Sequence, residues 1–190
     1  MMNYNYTRRA FLLSATSAAL AVGSAEAFGD TEASIMHRRR NNVTLTQQEI
    51  ADRLEIEDVL IRYCYAVDDR DWDAYRKIFT PDAVIDDTVT GGVKSGVEEH
   101  VTYLIKALSK ILISQHAIST TLIDLKGDEA RVRTHCSCPM VVDLGEGKRQ
   151  VFFQGLWYRN RLVRTQDGWK IKELREEGYW IHNAPAGFKF

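Results

Sequence analysis

Few side chains can take a proton from carbon near neutral pH, and histidine is the one whose ordinary pKa lies closest to that need. Two histidines stand where extended chain is predicted: His116, in Ser114-Gln115-His116, and His135, in the alternating run from Ala130 to Ser137. Ahead of them lies an acidic turn, Asp68-Asp69-Arg70-Asp71, with Tyr63 five residues before its first aspartate. A carboxylate that accepts from one ring nitrogen fixes the imidazole tautomer and leaves the other nitrogen for substrate. A phenol can hold a carbonyl or hydroxyl oxygen and stabilise charge growing there. Spacing alone assigns none of these roles. An aspartate in such a turn is ordinarily solvated or a helix cap, and Asp71 before Trp72 is the better cap. A histidine opening a strand is ordinarily structural. Tyr63 and Asp68 sit roughly 140° apart on an ideal helix, so spacing does not bring both into one site.

Other chemistries find less support. Cys64, Cys136 and Cys138 cannot all pair, and Cys136 and Cys138 point the same way on a strand. They read as small core or pocket residues, with a Cys64 disulfide to one of the others left open in an oxidising compartment. No His, Cys and carboxylate set has metal-ligand spacing, and no glycine-rich phosphate loop occurs, so no metal and no cofactor is expected. Twenty-five basic residues against 26 acidic ones, net charge -1, give no global field for nucleic acid or an anionic membrane.

The elements that must position these residues follow from periodicity. Thr46-Gln47-Gln48-Glu49 is a capping box, and Ile50, Leu54, Val59, Leu60, Tyr63 and Val67 follow at helical spacing, predicting a helix over about 47–67. Trp72 to Phe79 predicts a short second helix that stops before Pro81, and Ala83-Val84-Ile85 a brief strand. Ser95-Gly96-Val97-Glu98 repeats the capping-box pattern, and Val97, Val101, Leu104, Ile105 and Leu108 predict a third helix. Four extended runs then follow, about 115–125, 129–143, 149–163 and 169–176, separated by Lys126-Gly127-Asp128, Gly145-Glu146-Gly147 and Gln166-Asp167-Gly168. They predict an antiparallel meander in which Ala130, Val132, Thr134 and Cys136 face inward and Arg131, Arg133, His135 and Ser137 outward. Helices first and long antiparallel strands afterwards give an α+β fold. The tail from Tyr179 is aromatic and reads as a flap or a frayed end.

That order of elements, with the stretch from Tyr63 through Asp68, Trp72, Tyr75 and Phe79 to Pro81, resembles the SnoaL-like branch of the nuclear-transport-factor-2-like superfamily from about Thr46 to the C-terminus. The resemblance implies three N-terminal helices on a strongly curved, mainly antiparallel sheet forming a cone with an internal pocket. Within the superfamily the chain looks most like the lyases scytalone dehydratase, hexachlorocyclohexane dehydrochlorinase and bile-acid dehydratase. Their aspartate after the first helix matches Asp68, their histidine on the strand after the third helix matches His116, and the tyrosine of the bile-acid enzymes matches Tyr63. Where the dehydrochlorinase carries lysine, this chain has Tyr63; its arginine of the last strand falls on or beside Leu174, next to Arg175. The resemblance implies His116 as base, Asp68 orienting it and Tyr63 polarising the substrate. His135, Tyr158, Trp157 and Arg175 are the expected substrate contacts; of Trp157 and Tyr158, which alternate, one should line the cavity.

At the N-terminus, Arg8-Arg9, an apolar run to Val22 and Ala25-Glu26-Ala27 resemble a twin-arginine export signal over 1–27, followed by a linker over 28–43 and the folded domain over 44–190. The apolar run is about half the ~20 residues of a membrane span, so none is expected. Export to the periplasm follows, or a cytoplasmic product if translation starts at Met36. The expected activity is a cofactor-independent lyase of dehydratase type, or an isomerase, on a small, cyclic, mostly apolar ligand; the alternative is a noncatalytic binding protein of the same fold. Apolar residues Phe152, Phe153, Leu156 and Trp157 in one strand predict a homodimer or homotrimer.

Overall fold

The computed structural model describes residues 44–188, so the expected export signal over 1–27, the expected linker over 28–43 and the last two residues lie outside it. Helix α1 (Gln47–Asp68) begins with the expected box: the Glu49 amide donates to the Thr46 hydroxyl at 3.1 Å and the Thr46 amide to the Glu49 carboxylate at 2.8 Å. Its buried stripe is Ile56, Val59, Leu60, Tyr63 and Val67, but Ile50 and Leu54 are exposed. Asp52 takes the inner position in that half of the helix, held by Arg164 at 2.6 Å and by the Trp169 indole at 3.3 Å. An apolar count along the sequence cannot register a buried, paired aspartate.

The helix closes with a Schellman turn. The Asp71 amide reaches the Ala66 carbonyl at 2.9 Å and the Arg70 amide the Val67 carbonyl at 3.3 Å, with Arg70 left-handed at φ 60°. Asp71 then caps α2 (Trp72–Ile78), accepting from the Ala74 amide at 2.9 Å, as its spacing predicts. Strand β1 (Phe79–Asp86), β2 (Lys94–Ser95) and helix α3 (Val97–Ala107) come next, so two strands separate the second helix from the third. The second capping box does not form: Gly96 caps α3 without a side chain, and the Ser95 hydroxyl is buried without a partner. On α3, Ile105 is exposed and His100 fully buried, again reversing an apolar reading.

The remaining strands are β3 (Ile111–Ser114), β4 (Ala117–Lys126), β5 (Glu129–Gly145), β6 (Lys148–Thr165) and β7 (Gly168–His182). They form one mixed, open sheet in the order β2-β1-β7-β6-β5-β3, with β4 also paired to β5. The β4 to β7 meander is antiparallel as expected, and β1 joins β7 in parallel. Strand β7 runs on to His182 against Phe153, so Tyr179–His182 are sheet, not flap. Strands β3 and β4 lie end to end along the same edge of β5, and Gln115 and His116 are the two residues at the join. The inward face of the sheet carries Val132, Cys136, Met140, Phe152, Leu156 and Leu162, all buried. The outward face is laced by ion pairs such as Arg133–Glu177–Arg159. All three cysteines are free and buried, so the Cys64 disulfide is not formed. Among the described residues no helix is long and apolar enough to cross a membrane.

Candidate functional site

The last turn of α1 delivers Asp68 to the break between β3 and β4. At that break the Gln115 amide still bonds the Pro139 carbonyl of β5 at 3.2 Å, but the His116 amide has left the ladder. It donates to Asp68 Oδ2 at 2.7 Å, while His116 Nδ1 meets Asp68 Oδ1 at 2.6 Å. One carboxylate therefore fixes both backbone and ring of the histidine. The Arg70 guanidinium locks the same corner: it donates to the Val67 and Asp68 carbonyls, to the Ser114 hydroxyl at 3.0 Å and to the Ile111 carbonyl at 3.4 Å, tying the end of α1 to β3.

Electrostatics follow from that geometry. Burial would raise the Asp68 carboxyl, but the hydrogen bonds from His116 outweigh it and hold Asp68 below the usual carboxylate range. Burial would likewise lower the imidazole, and the Asp68 and Cys138 contacts overturn that, raising His116 to about 10. The resting pair at neutral pH is a carboxylate and an imidazolium. Nδ1 is the ring nitrogen held by Asp68, Cys138 lies beside the ring, and His116 lines a cavity.

That cavity is small, about 50 Å³, and open at its mouth, and Tyr63, Val67, Leu104, Leu108, Met140 and Tyr158 form its apolar wall. Tyr63 and Tyr158 meet edge to face at 5.4 Å, and burial keeps both phenols protonated far into the alkaline range. The sequence-predicted group of Asp68, His116, Tyr63 and Tyr158 is thus brought together. The other three expected contacts are not. His135 lies on the outward face of β5 against Trp157 at 5.2 Å, Arg133 covers Trp157 at 4.2 Å, and Arg175 is exposed on β7. Strand alternation already put His135 outward, and the register of β5 with β6 carries Trp157 to the same side.

Sequence reasoning missed the polar part of the wall. Asp87, Thr90, Tyr103, Gln154 and Glu176 line the same cavity as His116. Asp87 Oδ2 meets His100 Nε2 at 2.7 Å and His100 Nδ1 meets the Tyr75 hydroxyl at 2.8 Å, while Asp87 Oδ1 is buried without a partner. The only sequence signal for Glu176 is its inward register beside Tyr158. A second omission is Cys138: one donor atom each from Asp68, His116 and Cys138 fall within 4.8 Å of one another. A metal there would have to displace the His116 bonds that occupy both Asp68 oxygens, so the set is better organised for proton transfer than for ligation.

Comparison with known proteins bears on this arrangement. Residues 48–175 match the SnoaL-like domain. An uncharacterized protein of Mycobacterium tuberculosis is 38% identical over 127 residues, covering 67% of this chain and 85% of its own. The solved structure of a proposed aromatic ring hydroxylase from Novosphingobium aromaticivorans is similar with a TM-score of 0.64 at 25% identity, over 71% of this chain and 94% of that one. A proposed scytalone dehydratase from the same organism gives 0.60 at 19% identity, over 77% and 100%, a likeness of fold.

Proposed function

We propose, on the premise that this chain belongs to the SnoaL-like domain family and has the nuclear-transport-factor-2-like fold, that it is a cofactor-independent lyase of dehydratase type or an isomerase. Its substrate is a small cyclic, mostly apolar molecule carrying an acidic C–H. The observation that carries this reading is the 2.6 Å Asp68–His116 hydrogen bond at a cavity that Tyr63 also lines. His116 Nε2 takes the proton once its ring is neutral, Asp68 holds the ring and stabilises the imidazolium, and Tyr63 donates to the oxygen on which charge grows. The test is a panel of hydroxylated and halogenated cyclic compounds assayed with wild type and His116→Ala. Turnover by wild type, lost in the variant while ligand binding persists, supports the reading; equal rates refute it.

A second reading rests on the raised imidazole. A ring already protonated at neutral pH is a hydrogen-bond donor, which suits a noncatalytic binding protein. Tight binding of a panel compound without turnover would favour it. Export with a mature start near Phe28 is proposed from Arg8-Arg9 and Ala25-Glu26-Ala27, and mass spectrometry of protein from its native compartment tests it. Self-association as dimer or trimer is proposed through Val151, Phe153 and Trp180, which are exposed on the adjacent strands β6 and β7; Phe152 and Leu156 face inward and do not contribute. A monomer by light scattering at micromolar concentration would contradict it.

A further inference from the structure

The cavity contains a second proton-bearing group that the Asp68–His116 pair does not account for. Glu176 is 8% exposed, and its Oε2 accepts from the Thr90 hydroxyl at 2.8 Å. Its other oxygen has no hydrogen-bond partner among the described residues, yet is not sealed off, so it opens on the cavity. Asp87 follows directly on the end of β1, whose Asp86 pairs with Arg175, and it lines the same cavity with one carboxylate oxygen buried and unpartnered. Among the described residues no lysine or arginine lines this cavity. A carboxylate there would lie among apolar atoms and beside another carboxylate, so the neutral acid is favoured. Burial first, and then the charge of Asp87, push the Glu176 carboxyl well above its usual range; Thr90 and His116 pull the other way and are outweighed.

We infer that Glu176 is a catalytic acid that protonates the departing oxygen of a hydroxylated substrate while His116 removes the proton from carbon. This rests on the elimination reading above and narrows it to loss of water. The step balances. His116 Nε2 takes the proton from carbon, the C–H electron pair becomes the new C=C bond, the C–O bond breaks, and the departing oxygen takes the Glu176 proton to give water. His116 is left as imidazolium and Glu176 as carboxylate, and return of one proton across the cavity restores both. At rest His116 is imidazolium and Glu176 the neutral acid, so His116 gives one proton to solvent before the first turnover; from the neutral imidazole and protonated Glu176 onward the step conserves charge. A halide departs as an anion and needs no such donor, which makes the leaving group the discriminating variable.

The experiment compares wild type, Glu176→Gln and His116→Ala on cyclic β-hydroxy ketones and their β-chloro counterparts. The amide keeps the shape and can accept from Thr90 but cannot supply a proton. Glu176→Gln should lose roughly 10²–10⁴-fold more in kcat on the hydroxy ketone than on the chloro ketone. Equal loss on both, or loss on neither, overturns the assignment. If His116→Ala is inactive while Glu176→Gln matches wild type on both ketones, the elimination reading stands and the role of Glu176 alone falls. If wild type converts neither ketone, the elimination reading falls and takes this inference with it. Infrared difference spectra of wild type against Glu176→Gln at neutral pH read the acid form without turnover: a protonated-carboxyl band must be present, and its absence overturns the inference.

Discussion

Among the described residues two Asp–His pairs have nearly equal length, Asp68–His116 at 2.6 Å and Asp87–His100 at 2.7 Å, and they are built for different ends. Both nitrogens of His100 are engaged, one by Asp87 and one by the Tyr75 hydroxyl, and its ring stacks on Tyr75 at 6.0 Å with no exposure. It ties α3 to α2 and to the end of β1. His116 has Nδ1 held by Asp68, while its ring lies against the cavity with Cys138 beside it. The difference lies in the backbone. His100 projects from mid-helix into the core, whereas His116 sits where two strands sharing one edge of β5 are interrupted and an amide is free to bond Asp68. The same two residue types therefore make a brace in one place and a candidate base in the other, and access to the cavity decides which.

The sharpest way to break this comparison is to remove each ring. Replacing His116 with Ala should abolish turnover, a loss of about 10⁴-fold or more, because the base acts on the transition state. Asp68→Asn should cost about 10⁴-fold, since the amide favours the wrong tautomer and cannot stabilise an imidazolium. His100→Ala should instead cost about 3–5 kcal/mol of stability, as it leaves Asp87 and Tyr75 buried without their partner. Urea unfolding and steady-state kinetics on the three variants test the contrast. If His100→Ala lost turnover at unchanged stability, the two pairs would not differ in kind.

Tyr63→Phe should cost less, about 10²–10³-fold in kcat, the loss of one hydrogen bond to a developing oxyanion. A smaller effect concerns pH. His116 is raised from 6.5 to about 10 in the folded chain, so its pairing contributes stability in full below about 6.5 and loses it as pH rises through about 10. Asp68 is held below 3.8, so its share is present above that value and lost as pH falls through its folded pKa. The unfolding free energies of wild type and His116→Ala should therefore differ most at mildly acidic pH and converge toward pH 10. A gap that did not change over this range would mean the pair is not ionised at rest.

Much of this was legible in the sequence, for identifiable reasons. The capping box at Thr46, the Asp71 cap and the alternation along β5 are local patterns, and each appears as read. Asp68 and His116 are 48 positions apart, and only the resemblance to the lyases joined them. What escaped were polar residues doing inward work: Asp52, His100, Asp87 and Glu176 are buried because of partners or a cavity contributed by distant segments. Hydrophobic periodicity assigns such residues to the surface by construction. Ser95 failed as a cap for a related reason, since its pairing with Ile85 in β2 takes it into the sheet.

Arg70 offers the finest test, because its backbone and its side chain serve the Asp68–His116 corner separately. Its left-handed φ of 60° suits glycine better than arginine, a cost of about 1–2 kcal/mol. Its guanidinium repays that by bonding the end of α1 and Ser114 next to the histidine break. Arg70→Gly removes the clamp but relieves the backbone, whereas Arg70→Ala removes the clamp and keeps the strain. Both should lower kcat about 10–100-fold, the usual cost of losing a group that orients a functional side chain. Their stabilities should differ by about 1 kcal/mol in favour of glycine. Equal activity loss with unequal stability would locate the contribution to catalysis in the guanidinium; if Arg70→Gly recovered wild-type turnover, Asp68 would be held by the Schellman turn alone, and His116 would differ from His100 by backbone geometry without any help from Arg70.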